Sequence, residues 1–161
     1  MATIVSQAIE IKTPEKGTFV RYTENASQAA KRGEFVTLSS GKVSALSGTD
    51  PAANTILGIA MADFENVASP ASRNAVIFVP EPDCLFEVTM KGVSAQADIG
   101  SFFESIEESD IEKVDRAATT TTVWVVVDIV DRPGQAIGDT DARVIAKLSL
   151  NRLQLSRGVG A

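Results

Sequence analysis

The sequence predicts an all-β fold, a small antiparallel β-barrel or sandwich with little helix. Short runs of β-branched and aromatic residues recur along the 161-residue chain and are separated by Gly, Pro, Ser and Asp, as strands are by turns. The clearest run, TTTTVWVVVDIV at residues 119–130, is a strong strand former. Hydrophobic residues make up 44% of the chain and aromatic residues only 6%, so we expect a core built mainly of Val, Ile, Leu and Ala.

The predicted strands follow one another with turn residues between them. In chain order they cover residues 4–11, 18–22, a hairpin over 33–46, then 56–64, 75–80, 84–90, 119–130 and a last alternating run from Val144 to Leu150. The hairpin is expected to turn at Ser39, Ser40 and Gly41. Helix is confined to short candidates at 25–31 and 104–114. No internal repeat is evident in the sequence.

The run at 119–130 is expected to be a core strand. Its alternation places Val123, Val125 and Val127 on one face, and the other face carries Trp124, Val126 and Asp128. Since both faces are largely apolar, both should be covered. Trp124 should therefore meet either a second sheet or a neighbouring subunit, where its large area would make it an interface anchor.

The chain divides into an arm, a body and a tail. Residues 1–16 precede a Pro-Glu-Lys-Gly break at 14–17, residues 17–155 form the β body, and residues 156–161 contain too little apolar surface to pack. A strand-like segment hinged on Pro and Gly is suited to leave its own body and add to a neighbour's sheet. The alternative is that this segment is simply the first strand of the barrel.

Charge is distributed unevenly along the chain, whose net charge is −6. Residues 1–43 carry six basic and four acidic groups, residues 44–131 carry four and fifteen, and residues 132–161 carry five and two. The basic ends suit an acidic partner surface and the acidic middle suits solvent, although a chance scatter of solvated charges is the alternative. Neither a signal peptide nor an apolar run of ~20 residues is evident, so we expect a soluble protein made in the cytoplasm.

Residues that carry chemistry are sparse. The chain has no histidine, which removes the commonest general base and metal ligand. The single cysteine, Cys84, lies among acidic and apolar neighbours and is expected to be buried and unreactive. The SGKVS stretch at 40–44 lacks the preceding glycine and the helix of a phosphate loop. Basic residues are scattered and do not alternate with aromatic ones, which disfavours nucleic-acid binding.

Carboxylates are plentiful but show no catalytic or ligand spacing. One group forms a consecutive acidic run that is expected to be a solvated face or loop, namely Glu104, Glu107, Glu108, Asp110, Glu112 and Asp115. A second group flanks RPGQAIG and is expected to serve turns rather than a cation, namely Asp128, Asp131, Asp139 and Asp141. The sequence therefore predicts no catalytic residue, no cofactor, no metal site and no enzymatic activity.

Four stretches, taken in order, resemble the head-decoration or capsid cement proteins of tailed bacteriophages. They are GEFVTLSSGKVSAL, ILGIAMADFENVA, AVIFVPEPDCLFEVTM and ADIGSFF, within a match that spans residues 30–130. The resemblance implies a β-tulip fold that forms a homotrimer on the outer capsid surface of the virion, at local threefold axes of the expanded shell. It also implies an N-terminal arm at residues 2–12 that adds a strand to the major capsid protein. The longer loops at 104–118 and 132–142 depart from the family pattern.

These observations lead to a virion structural protein that binds between capsomers and stabilises the expanded capsid. The expected capsid-contact residues of the arm are Thr3, Ile4, Val5, Ile9, Ile11 and Lys12, and the expected subunit anchor is Trp124. Three alternatives remain open: a minor head or head-to-tail connector protein, a small β-barrel module that binds a peptide or glycan, and an enzyme that works through carboxylates alone.

Overall fold

The all-β prediction is confirmed by the computed structural model, which describes residues 6–46 and 51–155. Within these residues the helical segments are three short 3-10 turns at Pro14–Lys16, Gln96–Asp98 and Leu150–Arg152, and none is a helix able to cross a membrane. The strands of the described residues are, in chain order, Glu10–Ile11 (β1), Gly17–Glu24 (β2), Phe35–Ser39 (β3), Lys42–Ala45 (β4), Gly58–Ala60 (β5), Ala75–Pro80 (β6), Phe86–Lys91 (β7), Phe102–Glu108 (β8), Ile111–Asp115 (β9), Trp124–Ile129 (β10) and Arg143–Leu148 (β11).

Strands β2 to β6 form a closed barrel, hereafter the first barrel. The strand order around it is β2-β4-β3-β5-β6, and β6 returns to β2. All pairings are antiparallel except β2 with β4, which is parallel. The predicted hairpin is confirmed: β3 and β4 are joined by Ser40 and Gly41, whose φ values of 51° and 76° are those of a tight turn that matches the twist of the strands.

Strands β7 to β11 form a second ring, hereafter the second barrel. They belong to a six-stranded sheet of order β1-β7-β11-β10-β8-β9, and the parallel pairing of β7 with β9 joins its ends. β1 and β9 pair with the same edge of β7. β1 pairs with Phe86 and Glu87, and β9 pairs with β7 from Thr89 onward. The hairpin between β8 and β9 turns at Ser109 and Asp110, both with positive φ.

The two barrels have the same topology and the same strand register. In each, the first strand pairs in parallel with the third and antiparallel with the fifth, and the second and fourth strands complete the ring. Phe35 lies opposite Ile59 in the first barrel as Phe102 lies opposite Val125 in the second. Corresponding backbone bonds agree as well: the Gly33 amide donates to the Ala60 carbonyl at 2.8 Å, and the Gly100 amide donates to the Val126 carbonyl at 2.8 Å. The chain therefore contains a structural repeat, although its sequence shows none.

The repeat is one of polarity rather than identity. Inward positions that correspond by register are apolar and buried in both barrels: Val36 and Phe103, Val43 and Val114, Leu57 and Val123, Ala60 and Val126, Ala75 and Val144, Ile77 and Ala146. Only one of these six pairs is the same residue twice. Because a barrel interior accepts any set of apolar side chains that fills its volume, the two halves share a fold without a visible sequence repeat.

The outer face of the first barrel completes the core of the second. Neighbouring residues on a strand point to opposite faces, so Phe35 points outward where Val36 points inward. Phe35, Ile59 and Phe78 are buried in one cluster with Phe86 and Trp124 of the second barrel. The first barrel has its own smaller cluster around Val36, Leu57 and Ile77 inside it. The two barrels therefore share one large hydrophobic core.

The central strand departs from its expected alternation. β10 carries a bulge between Val126 and Asp128, which leaves Val127 as an extra residue opposite β11. Trp124 and Val126 consequently point inward with Ile129, whereas Val127 is exposed. Val123, just before the strand, is also buried, so the prediction that Val123, Val125 and Val127 share a face opposite Trp124 is wrong.

The two helix candidates are also wrong. Residues 25–31 form turns without a helix, and residues 104–114 lie in the β8–β9 hairpin. The alternating end of the chain is confirmed as β11 with Val144, Ala146 and Leu148 buried, but Leu150 lies in a 3-10 turn and is exposed. Tertiary pairing of polar strands overrides the local helix preference of the acidic run.

Replacing Gly58 by Ala should destabilise the first barrel. A Cβ atom at this position would overlap the carbonyl oxygen of Phe78 on the adjacent strand, so β5 and β6 would have to separate. We expect a loss of roughly 1–3 kcal/mol in the free energy of unfolding, measured by urea denaturation. Ser39→Ala, at an exposed position of β3, should change it by less than ~0.5 kcal/mol. Equal stability of Gly58→Ala and the native chain would show that the strands are not so closely spaced.

Candidate functional site: the N-terminal segment, its groove and an acidic cluster

The described part of the N-terminal segment lies on its own body. Glu10 and Ile11 pair antiparallel with Glu87 and Phe86, and the Lys12 amide donates to the Leu85 carbonyl at 2.9 Å. Ile9 and Ile11 are half-buried against the large core cluster, and Lys12 is exposed. Three of the expected contact residues, Thr3, Ile4 and Val5, lie outside the described residues. The described part of the segment thus lies on the body and supplies the first strand of the fold at Glu10–Ile11, in line with the alternative left open by the sequence.

A buried ion pair holds this segment in place. Glu87 and Arg143 are 1% and 2% exposed, and the Arg143 Nε lies 3.3 Å from the Glu87 Oε1. The Arg143 Nη1 also donates to the Gln7 carbonyl at 2.9 Å, and the Lys12 Nζ lies 3.4 Å from the Glu87 Oε2. Burial opposes ionisation of Glu87, but hydrogen bonds from Arg132 and Arg143 outweigh it and hold the pKa of Glu87 below its ordinary value.

A mainly apolar groove of about 480 Å³ separates the N-terminal segment from the first barrel. Ile9 and Ile11 form one wall, and Phe19, Ile59 and Met61 are among the residues of the other. The Phe19 ring is 54% exposed although it contacts Phe78, with 5.1 Å between ring centroids. Two of the expected contact residues therefore line a surface that an extended apolar segment fits.

Trp124 is a core residue. It is 0% exposed, lies 5.6 Å from the Phe35 ring and 6.1 Å from the Phe86 ring, and its Nε1 donates to the Ser105 Oγ at 3.1 Å. The sequence left open whether Trp124 meets a second sheet or a neighbouring subunit. In the structure Trp124 meets the other sheet, at Phe35. Its indole has no exposed area with which to anchor another chain, because the first barrel covers it.

Cys84 is buried as predicted. Burial raises the pKa of its thiol, and the nearby charge of Asp83 acts in the same direction, while a hydrogen bond with Thr13 opposes them. A thiol with a raised pKa carries little of the thiolate form that reacts. Its environment is therefore that of a core side chain.

The predicted turn role of the aspartates is confirmed for Asp139 and Asp141. The Asp139 Oδ2 accepts from the Ala136 amide at 2.9 Å, and the Asp141 Oδ1 accepts from the Gly92 amide at 3.1 Å. Asp128 and Asp131 are exposed beside a second cavity of about 440 Å³. Among the described residues, the carboxylates close enough to share a cation do not belong to this group.

The acidic run is only partly a solvated face. Glu104 and Glu112 are buried, so the expectation is wrong for these two residues. The Glu104 Oε1 accepts from the Thr121 amide at 2.7 Å, which places the following loop over it. Glu108 faces the other way and forms ion pairs with Lys91 and Lys113.

Three carboxylates meet where the two barrels join and a fourth lies beside them; we call the four the acidic cluster. It consists of Glu34 before β3, Glu107 on β8, Asp110 in the hairpin turn and Glu112 on β9. Ligand atoms of Glu34, Glu107 and Asp110 lie within 4.8 Å of one another. Glu112 lies directly opposite Glu107 in the hairpin, so their side chains share a face.

Burial, together with neighbouring like charges, raises the pKa of two members of the cluster. Burial, reinforced by the neighbouring Glu107, raises the pKa of Glu34 to about 7. Burial and the charge of Glu107 raise the pKa of Glu112 to about 8, opposed by a hydrogen bond from Ser105. Glu34 was not singled out from the sequence, because only the packing of the two barrels brings it to a hairpin some seventy residues further along.

Comparison with known proteins does not identify a family for this chain, because no family model and no curated protein matches it. Its function is therefore argued from its surfaces.

Replacing Glu87 by Gln should destabilise the protein at neutral pH by roughly 3–5 kcal/mol, since it leaves the buried Arg143 without its countercharge. The folded-state pKa of Glu87 is lowered, so its stabilising effect is present above its ordinary pKa of 4.5 and is lost as the pH falls through the folded-state value. The difference between native and variant in urea denaturation should shrink from pH 7 to pH 3.5. Glu10→Gln, at an exposed position, is the control, and a pH-independent difference would contradict the ion-pair explanation.

Proposed function

We propose that the chain is a structural protein of a tailed-bacteriophage virion, which decorates the outside of the capsid, binds between capsomers and stabilises the expanded shell. The resemblance of four stretches to head-decoration proteins supports this, as does the all-β fold. The observation that carries the proposal is an adhesive face that the fold leaves uncovered on the second barrel.

This open face follows from the internal repeat. In the first barrel the outward residues Phe35, Ile59 and Phe78 are covered by the second barrel. The corresponding positions of the second barrel are Phe102, Val125 and Lys147, which pair with one another in the same register. Nothing in the described chain covers them fully, and Phe102 is 53% exposed. The adjacent Val127, at the bulge, is also exposed, so the face extends along β10.

We assign the open face to contacts between copies. Within the chain, the first barrel packs on the second through this outer face. The second barrel would pack in the same way on the next copy of the chain. A head-to-tail contact of this kind closes into a ring when its rotation allows. The trimer implied by the resemblance is such a ring, with two similar barrels from each chain.

The capsid contact is assigned to the N-terminal side of the molecule. Residues 7–12 are fastened to the body, so Ile9 and Ile11 would act from the wall of the groove, with the exposed Phe19 opposite them. An extended segment of the major capsid protein would fill this groove, and Lys12, Thr3, Ile4 and Val5 would add further contacts to the capsid. Many copies, each with a modest interface, would then stabilise the shell through avidity.

The same groove favours one second candidate, a β-barrel module that binds an apolar peptide as a monomer. The two functions differ in what they require. A decoration protein saturates symmetric sites on expanded shells, whereas a peptide-binding module is functional as a single copy and indifferent to capsids. A connector protein would be recovered with particles in far fewer copies.

Binding to shells tests the capsid assignment. The chain should bind expanded shells of the phage that encodes it in symmetric, saturating numbers and should bind unexpanded shells at least tenfold more weakly, as measured by cosedimentation and imaging of the particles. Deleting residues 2–5 should weaken binding and leave Gln7 on Arg143, whereas deleting residues 157–161, at the other end, should not. Equal binding to both shell forms, or none, would reject the assignment.

Replacing Phe102 by Ser tests the contact between copies. The ring is half-exposed, so the fold should persist, and the variant should sediment as a monomer at concentrations where the native chain forms a trimer. Val67→Ser removes a similarly exposed apolar side chain from a loop of the first barrel and should leave the trimer intact. A native chain that remains monomeric at millimolar concentration, or a trimer unaffected by Phe102→Ser, would exclude this face as the interface.

A further inference from the structure

The acidic cluster has the geometry of a ligand site at the junction of the two barrels. Its members come from both barrels, since Glu34 precedes β3 while Glu107, Asp110 and Glu112 belong to the β8–β9 hairpin. Oxygen atoms of Glu34, Glu107 and Asp110 fall within 4.8 Å of one another. That spacing fits the diameter of a coordination sphere whose metal–oxygen distances are about 2.3–2.6 Å.

A second, independent observation is the free oxygen of Glu112. This side chain is 1% exposed, and its Oε2 accepts from the Ser105 Oγ at 3.2 Å, but its Oε1 has no hydrogen-bond partner. Glu112 lies directly opposite Glu107 on the same face of the hairpin, which places it beside the cluster. A buried carboxylate oxygen without a partner is costly unless a ligand satisfies it.

Positive charge is missing from the cluster. In residues 6–46 and 51–155, none of its four carboxylates forms an ion pair with a Lys or Arg side chain. The two lysines of the neighbouring strands, Lys91 and Lys113, both bind Glu108, which alternates to the other face of β8. Four acids with this arrangement repel one another unless a proton or a cation joins them.

We propose that Glu34, Glu107 and Asp110, with the free oxygen of Glu112 beside them, bind one divalent cation, and that the cation is Ca²⁺. All available ligand atoms are carboxylate oxygens, which suit a hard cation better than Zn²⁺, whose sites are built mainly on His nitrogen and Cys sulfur. Ca²⁺ accepts irregular coordination and bidentate carboxylates, whereas Mg²⁺ demands near-ideal octahedral geometry at about 2.0–2.1 Å. Ligands from two barrels and a turn form an irregular set of this kind.

The bound cation would fasten the two barrels together. Glu34 is one residue before Phe35, which packs on Trp124, and Trp124 is linked through Ser105 to Glu112. The site therefore lies at the edge of the aromatic contact between the barrels. Binding to the folded chain alone raises its stability with the free cation concentration, and this effect does not depend on any capsid function.

Thermal unfolding of the full chain tests the site. After removal of metals with a chelator, Ca²⁺ should raise Tm by several degrees in a saturable manner, with one ion bound per chain in titration calorimetry. Mg²⁺ at the same concentration should give less than half of that shift, and NaCl at matched ionic strength should give almost none. A Tm that does not respond to Ca²⁺, or responds equally to Mg²⁺ and NaCl, would overturn the proposal.

The double variant Glu107→Gln and Asp110→Asn isolates the ligands. Both side chains are partly or fully exposed, and Asn accepts the positive φ of 62° at position 110, so the hairpin should still form. The variant should lose the Ca²⁺-dependent shift, while Glu81→Gln, an exposed acid elsewhere, should keep it. A shift retained by the double variant would place the cation at another site and refute this one.

Terbium provides a readout that does not depend on stability. Tb³⁺ occupies Ca²⁺ sites and luminesces when excited through a nearby indole, and Trp124 is the only tryptophan of the chain. Excitation of Trp124 should give Tb³⁺ luminescence that Ca²⁺ displaces and that falls at least tenfold in the double variant. Equal luminescence in native and variant chains would contradict binding at the cluster.

Discussion

The rest of the structure depends on the contact between the outer face of the first barrel and the core of the second barrel. Phe35 and Phe78 would be solvent-facing on an isolated barrel, but here they pack with Trp124 and Phe86 at centroid distances of 5.6 and 6.3 Å. Aromatic pairs of this kind contribute about 0.5–1.5 kcal/mol each beyond the area they bury. Because the contact fixes the orientation of the barrels, it also determines that Glu34 faces the β8–β9 hairpin.

Ring closure explains how so many strong strand formers coexist in one chain. An uncovered strand edge would pair with other chains, and closing each sheet through one parallel pairing removes the edges. β7 keeps part of one edge uncovered by β9, since β9 pairs with it only from Thr89 onward. β1 covers the remainder at Phe86 and Glu87, and the buried Glu87–Arg143 pair holds the segment there. The N-terminal segment therefore completes the fold before it contacts any partner.

Local features of the fold were predictable from the sequence, and relations between its halves were not. The run at 75–80 and the turn at Ser40 and Gly41 follow from β propensity and turn chemistry within a few residues. The bulge after Val126 and the strand pairing of the acidic run depend on partners elsewhere in the chain. The repeat was hidden because corresponding core positions, such as Ile77 and Ala146, share burial but not size. The acidic cluster was hidden for the same reason, since Glu34 reaches the hairpin only through packing.

The repeat also shows which side chains the fold requires, because corresponding positions of the two barrels can be compared. Glu34 and Ser101 occupy corresponding positions, and their carbonyl oxygens accept equivalent bonds from the Ala60 and Val126 amides, both at 3.0 Å. This backbone bond is thus formed with either side chain, and the Glu34 carboxylate itself accepts one further bond of the turn, from the Lys31 amide to its Oε2. Its burial beside three other acids costs stability without a cation. Glu34 therefore lowers the stability of the fold at a position where Ser101 of the second barrel does not. A bound cation would offset this cost, which is the physical reason for placing a cation at the junction.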